Sequence, residues 1–380
     1  APAPVAPGRS FIIADRMYAP PAAAGRARFG RSCHSPLYAS TTLATSIPCP
    51  IRTSYNLRCA SLPQVRNMST SSGLWLEEEL EPDLKWMIQI DQIMHSGQSE
   101  FQKVELVRSL RFGKLLVLDG KAQSAEFDEA VYHELLVHPA MVHHPNPKTV
   151  FICGGGEGST AREVLRHKSV EKCVMVDIDK VVCDFCEAHL DNNKAAFADP
   201  RLELIIDDAK AQLENYPGGF DVIIGDLADP VSCGPCYHLY TDDFYRNVIL
   251  KKLNPGGIFV TQSAAGGVLS HTQVFTPVYR TLKEVFPTVV PYAAHVPSFC
   301  DTWAWNMSFS SPDTKVLEGA ELQKRLEERV EGETQFLDGD AWMGAKALNK
   351  IVKKGLQEET RVLTKESHAF LHGSGVKSLV

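Results

Sequence analysis

Polar and apolar residues change rhythm twice along this chain. Between about residues 85 and 128 they alternate in short runs: Trp86-Met87-Ile88-Gln89-Ile90, Lys103-Val104-Glu105-Leu106-Val107 and Lys114-Leu115-Leu116-Val117-Leu118-Asp119-Gly120. Period-two alternation closing on a turn predicts a small antiparallel sheet. Residues 129–142 carry apolar side chains at helical spacing, and Pro145-Asn146-Pro147 ends that helix. Apolar runs then recur at 149–153, 173–178, 202–206, 220–225 and 257–261, separated by helical stretches such as 161–167, 181–190 and 242–253. Such alternation predicts a parallel, doubly wound sheet. Aromatic-rich strands near 289–296 and 302–309 close it, and residues 313–380 read as a charged, helix-leaning tail.

Four regions follow: an extension over 1–72, a small β domain over 73–128, a larger α/β domain over 129–312, and a helical tail over 313–380 packed on it. Hydrophobic content of 44% suits a globular protein, and no run approaches the roughly 18 apolar residues of a membrane span. Residues 1–75 hold eight Arg, no Lys and a single acid, Asp15, without sustained periodicity. They read as a targeting or disordered extension. Met68-Ser69-Thr70 reads as a natural start, which makes 1–67 either a transit segment or an extension never made as protein. The expected compartment is the cytoplasm, or an organelle in the transit case. The remaining residues hold 31 basic and 45 acidic side chains, a balance near −14 that opposes nucleic acid and suits a cationic partner.

The ten cysteines are scattered without a small-domain disulfide framework, so a reducing compartment is the default. Two CxxC pairs stand out, Cys183-Asp184-Phe185-Cys186 and Cys233-Gly234-Pro235-Cys236. The Cys183 pair lies in a helical pattern that buries or splays its thiols, and the Cys233 pair reads as the turn of a loop. Ordinary thiols are expected, and no metal site.

Chemistry concentrates at strand ends. Cys153-Gly154-Gly155-Gly156-Glu157-Gly158 joins the first strand of the larger sheet to its helix, where glycines allow a tight turn and close backbone approach to a nucleotide. Asp177 ends the second strand, 21 residues beyond Gly156, the usual place for an acid that holds a ribose. Asp208, ending the third, is placed for an adenine amino group. Glu157 repels a pyrophosphate or the carboxylate of S-adenosylmethionine but attracts the lone ammonium of a decarboxylated donor; turned outward, it would simply meet solvent. Phe220-Asp221-Val222-Ile223-Ile224 runs into Gly225-Asp226-Leu227-Ala228-Asp229-Pro230, so Asp226 and Asp229 sit where a fourth strand ends, as ligands to something or as helix and turn caps.

These motifs, with Leu118-Asp119-Gly120-Lys121-Ala122-Gln123-Ser124, Val176-Asp177-Ile178-Asp179, Tyr132-His133-Glu134 and Gly234-Pro235-Cys236-Tyr237, resemble the aminopropyltransferases, the spermidine and spermine synthases. His295-Val296-Pro297-Ser298-Phe299 followed by Asp301-Thr302-Trp303 is similar to the thermospermine-forming branch, with Phe299 where spermidine synthases carry Tyr. The resemblance implies an α/β fold, with a doubly wound, methyltransferase-like (Rossmann-type) sheet preceded by the small antiparallel β domain. It implies decarboxylated S-adenosylmethionine as co-substrate with no prosthetic group, a spermidine substrate, and a homo-oligomer, dimer or tetramer. Gln102 and Asp177 would hold the ribose-methionine part, Asp208 and the Ala209 backbone the adenine, and Gly154 and Glu157 the loop side of the donor. Asp226 would orient and deprotonate the amine with help from Tyr132, while His133, Asp229 and Gln262 line the polyamine channel. Without the resemblance, Tyr132 and His133 read equally well as a helix surface packed on the sheet.

Spermidine synthase, spermine synthase or a small-amine methyltransferase would share most of this pattern, and a metal or redox module built on the CxxC pairs is the alternative of a different class. Deleting residues 1–67 is expected to leave soluble, active enzyme, measured as specific activity of the truncated chain; loss of either property would place that segment in the fold.

Overall fold

The structure is a computed structural model that describes residues 73–366, apart from 82 and 231–235. Expectations for 1–72, for the turn at Cys233-Gly234-Pro235 and for the end of the tail lie outside the described residues.

The antiparallel hairpin β1 (Leu74–Glu81) and β2 (Leu84–Ile90) leads into a four-stranded meander: β3 (Gln92–Gln98), β4 (Lys103–Ser109), β5 (Gly113–Leu118) and β6 (Lys121–Ala125). Alternation gives this small sheet two working faces. Val107, Leu115 and Val117 pack with Ile88 and Ile90 of the hairpin, while Val104 and Leu116 pack on a helix of the larger unit at Val182 and Cys186.

After α1 (Glu129–His143), strands and helices alternate: β7 (Thr149–Gly154), α2 (Ser159–Leu165), β8 (Lys172–Asp177), α3 (Lys180–His189), α4 (Lys194–Phe197), β9 (Leu202–Ile206), α5 (Ala209–Asn215) and β10 (Phe220–Asp226). A helix follows as α6 (Asp242–Phe244), a π turn at Tyr245–Ile249 and α7 (Leu250–Lys252), then β11 (Leu253–Ala265), α8 (Phe275–Lys283), β12 (Thr288–Val296) and β13 (Asp301–Phe309). The strand order β12-β13-β11-β10-β7-β8-β9 is parallel from β11 to β9, with β13 antiparallel to both its neighbours. This is the expected α/β, methyltransferase-like sheet behind a small antiparallel domain. Its central strands are covered on both faces and buried along their length apart from end residues, as parallel sheets require.

The tail contributes α9 (Gly319–Arg329), α10 (Gly339–Lys346) and α11 (Lys350–Glu358). Helix α1 lies between the sheet and this layer, which explains why it is buried from Tyr132 to His143 rather than along one stripe. Pro139 inside α1 has no N–H to offer the Leu135 carbonyl four residues back, and Tyr292 Oη donates to that oxygen at 2.8 Å instead. The tail is tied to α1 by polar clamps. Glu134 accepts three backbone N–H bonds, from Gln335 at 2.7 Å, Phe336 at 2.9 Å and Leu337 at 2.8 Å. Leu317 is gripped on both sides, its N–H by His143 Nε2 and its carbonyl by Trp342 Nε1, each at 2.9 Å.

Several elements differ from expectation. Strands β1, β3 and β6 and helices α4, α5 and α8 join the expected set, and β11 runs four residues further at each end. No helix among the described residues is long and apolar enough to cross a membrane.

Replacing Glu134 with Ala would strand three amides, one buried and two partly buried, at a cost of about 3 kcal/mol. Urea unfolding of the variant should show that loss; a change below about 1 kcal/mol would mean the amides find other partners.

Candidate active site

In this sheet the strand order reverses between β7 and β10, which opens a crevice at their carboxyl ends. Gly154 ends β7 directly opposite Asp226 at the end of β10. The backbone at Gly154 has φ 81°, and a methyl there would strike the Asp226 carbonyl, which already accepts the Gly155 N–H at 3.0 Å. A methyl on Gly156 would lie 2.7 Å from the Asp177 carboxylate, to which the Gly156 N–H donates at 2.9 Å. The loop is glycine-rich because two acids stand against it.

The Asp226 carboxylate is aimed from two helices. Tyr132 Oη on α1 donates to its Oδ1 at 2.8 Å, and Thr160 Oγ1 on α2 donates to its Oδ2 at 2.7 Å. Burial, and then the nearby Asp226 charge, push the Tyr132 phenol well above its ordinary range, so it remains a donor. The Tyr132 ring meets Phe299 at 5.7 Å and Trp305 at 5.8 Å between centroids, an aromatic wall beside the acid. Across the crevice, Gln262 Nε2 contacts the Leu227 carbonyl at 2.6 Å, Tyr240 Oη at 2.9 Å and Asp229 Oδ1 at 3.1 Å, so the expected channel pair of Asp229 and Gln262 is joined.

Glu157 turns inward, with its side chain only 13% exposed. Its Oε1 accepts from Ser124 Oγ of β6 at 2.9 Å and from Ser159 Oγ of α2. Burial pushes its carboxyl up, while His133 and the two hydroxyls pull it back. His133 stands between two acids, with Nδ1 2.8 Å from Glu129 Oε2 and Nε2 3.9 Å from Glu157 Oε1.

On the nucleoside side, Asp177 also accepts the Asp179 N–H at 2.9 Å, and burial raises its carboxyl above the usual range. Gln102 reaches Asp179 Oδ2 at 3.0 Å rather than Asp177, alongside Ser99 Oγ at 2.6 Å. Strand β9 stops at Ile206, so Asp208 lies two residues beyond the expected end. There it caps α5, accepting from the Ala211 N–H at 2.7 Å, with buried Ala209 as the helix's first residue. Asp208 thus stands on the open rim, its side chain 43% exposed and 3.8 Å from His238 Nε2.

Thr160, Ser124, Ser159 and Tyr240 were not among the expected residues. Thr160 and Ser159 follow the glycine loop directly, where their hydroxyls read as helix caps; the N-cap is in fact Gly158. Cys183 and Cys186 are buried on α3, and burial pushes both thiols up, away from reactive thiolates. Among the described residues one compact group could hold an ion, Glu134, His138 and Glu163. Backbone amides already occupy the first, and Arg162 and Arg166 pair with the third.

Two histidines give the pH behaviour. Burial opposes a charge on His133, but Glu157, Glu129 and Asp226 outweigh it and push the imidazole up to about 9. Burial pulls His143 down to about 4, where Nδ1–H donates to the Pro139 carbonyl at 2.6 Å and Nε2 accepts from Leu317. His133 therefore stabilises the fold fully below its unfolded value of 6.5, a contribution lost as pH rises through about 9. His143 contributes above 6.5, and that is lost as pH falls through about 4. Imidazole proton resonances followed by NMR should give those two midpoints; a His133 midpoint near 6.5 would contradict its placement between two carboxylates.

Residues 129–318 match the model of the spermine/spermidine synthase domain, and residues 74–126 that of the spermidine synthase tetramerisation domain. The chain is 52% identical over 302 residues to thermospermine synthase ACAULIS5 of Arabidopsis thaliana, covering 80% of this chain and 88% of that one. It is 41% identical to a polyamine aminopropyltransferase of Aeropyrum pernix, covering 78% and 95%. Among solved structures, a spermidine synthase in complex with the transition state analogue AdoDATO superposes with TM-score 0.69 at 29% identity, covering 75% of this chain and 96% of that one. Spermidine synthase from Thermotoga maritima gives 0.68 at 29% identity, with 76% and 96% covered. With its glycine loop, its paired strand-end acids and these matches along both sheets, the chain belongs to the spermine/spermidine synthase family of aminopropyltransferases.

Proposed function

We propose that this enzyme moves the aminopropyl group of decarboxylated S-adenosylmethionine to spermidine, giving thermospermine and methylthioadenosine by direct displacement. One observation carries the reading: Asp226, held by Tyr132 and Thr160, shares the crevice with Glu157, a buried carboxylate placed for a lone ammonium. A primary amine with pKa about 10 is almost wholly protonated at neutral pH and attacks only after losing that proton. Asp226 orients and helps deprotonate the amine, and its carboxylate, once that proton has passed to solvent, offsets the charge that grows on nitrogen as it bonds to the methylene beside sulfur and the carbon–sulfur bond breaks. The sulfonium leaves as a neutral thioether, so the chemistry calls for no prosthetic group, and in-line positioning supplies much of the rate.

Glu157 meets the donor ammonium, and with Gly154 it shapes the loop side of the donor pocket. Gln102 and Asp177 hold the ribose-methionine portion, Asp208 and Ala209 the adenine, and His133, Asp229 and Gln262 the polyamine. The choice of spermidine end follows from register. An unpaired ammonium in a narrow cleft costs more than a misfit of one methylene, so the counter-charge that Asp229 offers, with Phe299 in place of a phenol, would set which end of spermidine is extended.

We take residues 73–128 as a small β domain, 129–312 as the catalytic domain and 313–380 as a tail packed on it, consistent with the Glu134 and Leu317 clamps. A homo-oligomer, dimer or tetramer, accords with the apolar side chains of Leu74, Trp75, Leu84 and Met87 exposed on the β1–β2 hairpin. The compartment is the cytoplasm, or an organelle if residues 1–67 act as a transit segment; the free cysteines among the described residues accord with a reducing one. Nucleic acid and membrane are not expected partners of so acidic a chain.

The test is incubation with decarboxylated or intact S-adenosylmethionine plus spermidine or putrescine, with chromatography against authentic spermine and thermospermine. Thermospermine is expected from the decarboxylated donor alone, and Asp226→Asn should lower kcat by about a hundredfold or more while donor binding persists. Spermine as product, or preference for putrescine, would place the chain in a sister branch; methyl transfer from the intact donor would overturn the reading.

A further inference from the structure

Glu157 belongs to a closed circuit of polar groups, most of which have no part in the reaction as described. Its partner Ser159 Oγ accepts from Asn193 Nδ2 at 2.9 Å, and the same amide nitrogen donates to the Glu157 backbone carbonyl at 2.9 Å. Asn193 Oδ1 accepts from Arg162 Nη1 at 2.6 Å. Arg162 Nη2 then grips Glu129 Oε2 at 2.7 Å and Oε1 at 2.8 Å. Glu129 holds His133 Nδ1, whose Nε2 faces Glu157 again at 3.9 Å.

The bookkeeping of donors fixes this circuit in one sense. Ser159 has a single hydroxyl proton, which goes to Glu157, so it can only accept from Asn193. Both N–H bonds of the Asn193 amide are then used, and its oxygen is taken by Arg162, so the amide has one workable orientation. Asn193, Ser159 and His133 are each no more than 3% exposed, so water does not readily replace a missing member. Asn193 comes from the short turn Asp191–Asn193, outside the glycine loop that it serves.

We propose that Asn193 is a positioning residue for donor recognition: through Ser159 it aims the Glu157 carboxylate, and through Arg162 and Glu129 it holds His133 against the same carboxylate. The inference rests on the reading of Glu157 as partner of the donor ammonium. A carboxylate aimed by directed hydrogen bonds favours a cation at one place and repels the extra carboxylate of intact S-adenosylmethionine. Released from that aim, the same acid would swing among its remaining partners and lose both effects.

The test compares binding of decarboxylated S-adenosylmethionine with that of methylthioadenosine, which shares the nucleoside but lacks the ammonium, by titration calorimetry. Asn193→Ala should weaken the first about tenfold and leave the second within about twofold. In steady state KM for the donor should rise while kcat holds, a split that general loosening of the fold would not give. Ser159→Ala breaks the circuit at another point on a helix that tolerates alanine, and should show the same selective loss if Asn193→Ala does not fold. Equal loss of both ligands in these variants, or of neither, would overturn the proposal. Glu157→Gln separates the two levels: if it weakens the decarboxylated donor selectively while the Asn193 and Ser159 variants do not, the positioning role fails alone. If Glu157→Gln leaves both ligands unchanged, the ammonium partner has been misassigned and the proposal falls with it.

Discussion

The hydrogen bond from the Gly155 N–H to the Asp226 carbonyl joins the two halves of this site. It sets the nucleotide loop after β7 directly against the end of β10, with Gly154 facing Asp226 across the ladder. No side chain fits between them. The proposed donor and amine sites thus share one strand boundary, and the Asp226 carboxylate projects from the residue whose carbonyl anchors the loop. A displacement reaction needs its nucleophile and its carbon held in line, and here the same backbone contact governs the placing of both.

Around that contact the crevice collects negative charge to an extent an isolated protein would not tolerate without compensation. Glu157, Asp177 and Asp226 are supported mainly by neutral donors: hydroxyls of Ser124, Ser159, Thr160 and Tyr132, and amides of Gly156 and Asp179. Hydrogen bonds from neutral groups hold a carboxylate in place without cancelling its charge. Arg162 is withdrawn one layer, onto Glu129 and Glu163, and His133 faces Glu157 only at 3.9 Å. Cationic ligands therefore find Asp177 and Asp226 oriented by neutral donors, and Glu157 oriented by two hydroxyls with one imidazole facing it at 3.9 Å.

The main chemistry was legible because it falls where sequence and topology coincide. An apolar run that stops at an acid, as at Asp226 or Asp177, marks a strand end, and a strand end marks the crevice. Glu157 was legible as an acid where glycines alone were expected. Asn193, Ser124 and Thr160 carry no such mark, being ordinary polar residues brought together only by the fold. Asp208 was expected at the adenine, and its capping of α5 was not legible beforehand, because an acid just past a strand reads alike as a ligand and as a helix cap. Strand β3 hid because neither face is apolar. Helix α8, not among the expected elements, carries Pro277 in its first turn, where a missing N–H costs nothing. Pro139 needed Tyr292, some 157 residues from Leu135 along the chain, to make a proline tolerable inside α1.

The grip of Glu134 on Gln335, Phe336 and Leu337 spans 201 to 203 residues of sequence, yet it acts two positions from Tyr132. Chains are made from the amino terminus, and domains fold broadly in that order as they emerge. On a chain still being synthesised, the strands of the sheet can pair while α1 lacks the partners that cover its outer side. Tyr132 is thus among the last groups to receive its final support, although its residue is translated long before the segment that provides it. A nascent chain would carry the shape of the nucleotide fold well before it carried a finished polyamine site, and its competence would arrive with its last helices.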